Sequence, residues 1–309
     1  MVSRKKDNRL LVIFIVSILI LMASVLFSPA KSDNAFDQES AYAYLEQQLA
    51  FGPRIPLSEG HTAFKDWAVN EFQNSGWQVK LQTGTYRGKQ ITNIIATNEG
   101  WDEISKKSPW LLLGAHYDTR TFATEEQSEE NRQKPVPGAN DGASGVAVLL
   151  ELARSLPRNL DKKVWLVLFD AEDQGDIPGW DAWCIGSSMM AQSFEKETDR
   201  PDAVVIVDMV GDKDLQLPIE RNSDSQLAKE IWTLAENEGF GDIFIKQPKY
   251  AIYDDHVPFL QIGIPAVDLI DFDYPAWHTL EDDIQNVSAD SLAVVGKVLY
   301  TWITTTNWN

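Results

Sequence analysis

Short, almost wholly apolar runs recur along the chain, at Trp110–Ala115, Val164–Phe169, Val204–Asp208 and Ala266–Ile270. Strands without alternation must be covered on both faces, because every second residue of a half-exposed strand would otherwise be polar. Helical spacing of apolar positions fills the intervals, at Gly142–Ser155, Ile185–Ser193, Ser225–Glu238 and Ala289–Trp302, and earlier over residues 36–50 and 59–74, where Phe64, Trp67, Ala68 and Phe72 share a face. Further strands are expected at Gln78–Gln82, Ile91–Ala96 and Ile243–Ile245. Strands buried by helices on either side predict an α/β fold, a three-layer α/β/α sandwich around a mixed, mostly parallel sheet.

In such sheets ligands gather where loops leave the carboxyl ends of the strands. The chain places ionisable residues there repeatedly: His116 and Asp118 after one strand, Glu172 and Asp173 after another, Asp208 at the end of a third and His278 beyond a fourth. Asp141 lies in the turn Gly138-Ala139-Asn140-Asp141-Gly142, ahead of a helix. Each has a plain structural reading taken singly: Asp141 as a helix cap, Asp208 as a solvated strand end, His278 as a hydrogen-bonded core histidine. Together, on one edge of one sheet, they point to a metal site. Zinc takes His nitrogen and carboxylate oxygen and keeps a position open for catalysis. Asp141, Asp173 and His278 offer three such ligands, and His116 with Asp208 offers a possible second site that Asp141 would bridge. Glu172, beside a metal-holding Asp173, is free to act as a general base.

The first thirty residues are of another character. Arg4, Lys5, Lys6 and Arg9 precede an uncharged run from Leu10 to Phe27, long enough to cross a bilayer as a helix. The basic cluster predicts a cytoplasmic amino end, with everything after Lys31 outside. A cleaved signal peptide ending near Ser28-Pro29-Ala30 is the alternative. The expected organisation is therefore an anchor or signal at 1–30 and a catalytic domain at 31–309, membrane-anchored with an extracytoplasmic domain, or secreted if cleaved. The membrane enters through that helix only.

The chain carries a formal charge of -19, and residues 31–309, without four Lys/Arg and one Asp, carry -22. So acidic a surface argues against nucleic acid as a partner, and no glycine loop suited to phosphate is seen. Cys184 is the sole cysteine, so no internal disulfide and no cysteine-rich zinc site can form; it is expected in the core.

GAHYDTR (114–120), PGANDGASGVAVLLELAR (137–154), FDAEDQG (169–175), VDMVG (207–211) and WHTLEDD (277–283) together resemble the zinc exopeptidase fold shared by bacterial aminopeptidases and animal-type glutaminyl cyclases. FGPRIP (51–56), ITNIIATN (91–98), DDHVPFL (254–260) with GIP (263–265), and WHT (277–279) look more like the cyclases. The resemblance implies one zinc on Asp141, Asp173 and His278, Glu172 as general acid/base, Asp208 and Asp254 as a mutually hydrogen-bonded catalytic pair, and Trp277 as the wall of the substrate pocket. Trp180 and Trp183 are candidates for lining the same pocket, or for ordinary packing. The animal enzymes' disulfide cannot exist here. The expected substrate is a peptide or protein with a free amino terminus, and the expected reaction is cyclisation of amino-terminal glutamine to pyroglutamate with loss of ammonia. A two-zinc aminopeptidase is the alternative, kept open by His116 and Asp208. A binding-only ectodomain ranks last, since no ligand is missing.

Overall fold

The structure is a computed structural model, and it describes residues 35–98, 108–197 and 199–306. The segment 1–30, on which the anchor or signal was expected, lies outside the described residues. Among the described residues, no helix is long and apolar enough to cross a membrane.

The elements run α1 (Gln38–Ala50), α2 (Glu59–Asn74), β1 (Gln78–Tyr86), β2 (Lys89–Thr97), β3 (Trp110–His116), α3 (Glu129–Arg132), α4 (Ser144–Ser155), β4 (Lys163–Phe169), α5 (Ile185–Phe194), β5 (Ala203–Asp208), β6 (Leu217–Ile219), α6 (Ser225–Asn237), β7 (Phe244–Pro248), α7 (Val257–Gln261), β8 (Ala266–Ile270) and α8 (Ala289–Thr305). The main sheet has the order β1-β2-β4-β3-β5-β8. β4, β3, β5 and β8 run parallel, while β2 is antiparallel to both of its neighbours. The strand expected at Ile243–Ile245 is β7, and it pairs with the three-residue β6 in a separate two-stranded sheet. β6 is too short to show in an apolar pattern, so this side sheet was not legible in advance.

The parallel strands are buried on both faces because their alternate residues meet different helices. Leu111, Leu113, Ala115, Val205 and Val207 pack with α1, α2, α4, α6 and α8. Leu112, Val167, Phe169, Val204 and Ile206 pack with Met190, Ala191 and Phe194 of α5 and with Phe259 of α7. Every residue of α4 except Arg154 is buried, so this helix is central to its layer rather than a surface amphipath.

Strand order decides where a ligand can sit. The chain leaves β3 towards β4 on one side, and leaves β5 towards β8 on the other. The outgoing loops of the adjacent strands β3 and β5 therefore diverge and open a crevice between their carboxyl ends. His116 is the last residue of β3 and Asp208 the last of β5.

Candidate metal centre and catalytic cleft

Three loops and two strand ends converge on this crevice. His278 Nε2 lies 3.0 Å from Asp173 Oδ1 and 3.5 Å from Asp141 Oδ2. On the other side of Asp141, His116 Nε2 lies 3.1 Å from Asp141 Oδ1 and 3.1 Å from Asp208 Oδ1. Two candidate ligand sets result, Asp141-Asp173-His278 and His116-Asp141-Asp208, all buried and sharing Asp141. A third buried group joins Glu172, Asp254 and Cys184, whose ligand-capable atoms all lie within 4.8 Å of one another.

The backbone is bent sharply where these side chains leave it. Ala171, Cys184, Met209 and His278 all have φ between 45° and 56°, a region that non-glycine residues occupy only when their surroundings enforce it. Asp141 is followed by Gly142 at φ 98°, where a Cβ would lie 2.5 Å from the Asp118 carbonyl oxygen. Only glycine lets the chain turn there into α4. The helix does not use Asp141 as a cap: its N-cap is Ala143, with no side-chain hydrogen bond. The carboxylate of Asp141 therefore faces the two histidines.

Other buried polar groups hold the loops in place. Asp282 accepts the N–H of Asn140 at 2.7 Å and of Asp141 at 3.2 Å, and the Tyr274 hydroxyl at 3.0 Å. Asn140 Oδ1 in turn accepts the N–H of Gly211 at 2.6 Å, tying the Asp141 turn to the loop after Asp208. Asp118 accepts the N–H of Glu172 at 2.9 Å, that of Asp173 at 3.3 Å and the Gln174 amide at 3.0 Å. Arg54, fully buried, donates to the carbonyls of Tyr117, Pro137 and Gly138, and burial lowers its pKa to about 10. Arg120 donates to Asp173 Oδ1 at 3.1 Å and to the Gly175 carbonyl at 3.2 Å. None of these supporting roles was read from sequence, although Arg54, Asp118, Arg120, Asn140 and Asp282 all lie within quoted motifs.

Burial sets the electrostatics. It lowers the His278 pKa to about 3, against the pull of Asp141, so the imidazole is neutral, as a metal ligand must be. Burial opposes a charge on His116 too, but Asp208, Asp118 and Asp141 outweigh it and hold its pKa well above the usual range. Desolvation raises Glu172 well above an ordinary carboxyl, with Asp254 adding to the effect. Desolvation followed by repulsion from Asp208 raises Asp254 to about 7. Asp208 Oδ1 lies 3.1 Å from His116 Nε2, while Asp254 Oδ1 accepts the N–H of Asp255.

The cleft above these groups has a volume of about 220 Å³ and is walled by Trp183, Met209, Ile252, Tyr253, Phe272 and Trp277. The Trp277 ring stacks on His278 with centroids 3.8 Å apart, and Trp183 lies parallel to His278 at 6.0 Å. Trp180 is not part of this wall, which corrects the expectation that it contacts substrate. It is buried with Ile91, Ala171, Ile177 and Ile185, because the turn from Ile177 to Trp180 folds its indole back into the core. Trp183 takes the place at the cleft.

Residues 93–303 match the model of peptidase family M28, a stretch that contains every candidate ligand. The chain belongs to peptidase family M28. Among curated relatives of this M28 chain, the glutaminyl-peptide cyclotransferase of Boiga irregularis is 25% identical over 291 residues, covering 81% of this chain and 76% of that one. Among solved structures, the Porphyromonas gingivalis glutaminyl cyclase is 31% identical with a TM-score of 0.80, covering 87% of this chain and 98% of that one. A leucine aminopeptidase precursor from Bacteroides thetaiotaomicron is 29% identical with a TM-score of 0.81, covering 89% and 99%.

The donor set of this M28 chain fits a zinc ion. Asp173 Oδ2 is buried without a hydrogen-bond partner, a costly state for a carboxylate oxygen unless a cation completes it. With the neutral His278 and the uncapping Asp141, it makes a two-carboxylate, one-imidazole set with room for substrate on the cleft side.

Proposed function

We propose that the chain is a glutaminyl-peptide cyclotransferase, closing the amino-terminal glutamine of a peptide to pyroglutamate with release of ammonia. The observation that carries this reading is the placement of Glu172 against Asp254, both buried beside the metal ligands and both raised as acids. A carboxyl that binds its proton well above the usual range suits a proton carrier that must first take a proton and then return it. Two carboxyls this close favour a shared proton over double ionisation.

Zinc held by Asp141, Asp173 and His278 would supply Lewis-acid polarisation of the glutamine γ-carbonyl. The remaining work belongs to the chain. The cleft seats the glutamine side chain between Trp277 and Trp183, and its acidic floor attracts the substrate's amino terminus, which reacts as the free amine after giving one proton to solvent. Glu172 accepts a proton from the α-nitrogen as that nitrogen bonds to the γ-carbonyl carbon. The bond to the amide nitrogen then breaks, and Glu172 delivers the proton to the departing ammonia. A single group of this kind contributes about 10²- to 10⁴-fold. Repulsion from Asp254 favours the proton on Glu172 between those two transfers.

The second reading is a two-zinc aminopeptidase, favoured by the intact His116-Asp141-Asp208 set. The number of zinc ions separates the two, one for the cyclase and two for the aminopeptidase. To decide, residues 31–309 with zinc are given one peptide beginning with glutamine and one beginning with leucine, followed by mass spectrometry. Loss of ammonia from the first alone is the expected result. Release of free leucine would overturn the cyclase in favour of the aminopeptidase.

The proposed location, outside the cytoplasm on an amino-terminal helix or secreted, is supported by the basic cluster and apolar run of residues 1–30. Digestion of the domain by protease added to intact cells tests it.

A further inference from the structure

Beyond Trp183 and Tyr253 the catalytic cleft does not end: both residues also line a second cavity of about 370 Å³. Its walls include Tyr86, Ile91, Ile185 and Met189, and none of its lining residues is charged. This is notable in a domain whose residues 31–309 carry -22. Tyr253, on the ridge between the two cavities, is 52% exposed, one of three large apolar side chains so exposed among the described residues. Met189 forms the floor over Gly84, where any Cβ would meet its sulfur at 2.3 Å. Another cavity, around Asp212, Asp271 and Asp273, shares no lining residue with the cleft.

We propose that this uncharged groove is a subsite for the peptide substrate, binding an apolar side chain on the residue that follows the amino-terminal glutamine. The inference rests on the cyclotransferase reading. The buried floor of the first cleft, made by Asp141, Glu172, Asp173 and His278, closes it at the metal end. A seated peptide must therefore leave over the rim, and the adjoining opening lies across Trp183 and Tyr253. Apolar surface exposed there and rimmed by an acidic domain is what apolar side chains bury against.

The test uses the zinc-loaded protein and three substrates: glutaminamide, a Gln-Gly peptide and a Gln-Phe peptide otherwise identical. Native protein is expected to show kcat/KM roughly ten- to a hundredfold higher for Gln-Phe than for Gln-Gly. Met189→Asp should erase that preference and leave glutaminamide turnover within about twofold. Tyr86→Ser, at a half-exposed position, should reduce the preference in part and guards against misfolding of the first variant. If glutaminamide is not cyclised at all, the activity reading fails and the subsite with it. If glutaminamide is cyclised but native protein treats both peptides alike, or Met189→Asp slows all three substrates equally, the subsite alone is overturned.

Discussion

The Cys184 thiol, fully buried, lies 3.2 Å from Glu172 Oε1 and donates to it. The cysteine expected as core filling is in the core and also orients the proposed proton carrier. Cys184→Ala removes that donor and is expected to lower kcat about five- to tenfold, the effect of one hydrogen bond near 1 kcal/mol, with KM nearly unchanged. Cys184→Ser restores a donor and should recover most of the loss. Equal damage from both substitutions in steady-state kinetics would reduce Cys184 to packing alone.

Trp183 and Trp180 separate wall from core. Trp183→Ala opens the cleft beside His278 and is expected to raise KM for glutamine peptides about tenfold, since a large aromatic contact is lost. Trp180→Phe leaves an apolar ring in the buried cluster. It should leave kcat/KM within about twofold and lower only the melting temperature. A KM effect at Trp180 larger than at Trp183 would contradict the cleft described here.

Glu220 carries a pH dependence of defined sign. Burial opposes its charge, but His256 at 3.0 Å and the N–H groups of Asn222 and Ile252 overcome that and lower its pKa to about 2. The unfolded chain binds this proton near pH 4.3. Its contribution to stability, on the order of 3 kcal/mol, is therefore complete above about pH 5 and is lost as pH falls from there towards 2. Glu220→Gln should be less stable than native at pH 7 in urea unfolding, and the gap should close as the pH approaches 2. A gap that does not depend on pH would show that the carboxylate charge is not what stabilises the loop carrying Ile252 and Asp254.

Removal of the candidate metal ligand His278 tests the centre without relying on activity. Native protein should bind zinc and lose a few degrees of melting temperature on chelation, because a ligand held only by the folded state stabilises it. His278→Ala should bind little zinc, and its melting should be insensitive to the chelator. Glu172→Gln should keep the zinc and lose about 10²- to 10⁴-fold in kcat. Zinc retained by His278→Ala with native affinity would place the ion on the His116-Asp141-Asp208 set instead.

The core strands, their flanking helices and the carboxyl-end position of the ionisable residues were legible because apolar periodicity is a local property of the chain. Val164–Phe169 reads as a buried strand from its own residues, and the structure has a strand there, fully or nearly buried. The side sheet of β6 and β7 was not legible, since Leu217–Ile219 is too short for a pattern. Nor was the choice of Trp183 over Trp180, which depends on how one turn folds back.

By itself, the sequence determined a mixed α/β domain and a set of ligand-capable residues gathered at one edge of its sheet. Tertiary structure alone decided which partner each of those residues takes. Asp282 holds a turn 142 residues away in sequence, and Arg54 anchors the loops at Tyr117 and Pro137. The physical reason is that burial pattern is set by neighbours a few residues apart. The pairing of carboxylates, histidines and the thiol is set by strand order and by loop bends such as those at Ala171, Cys184 and His278, which no local periodicity encodes.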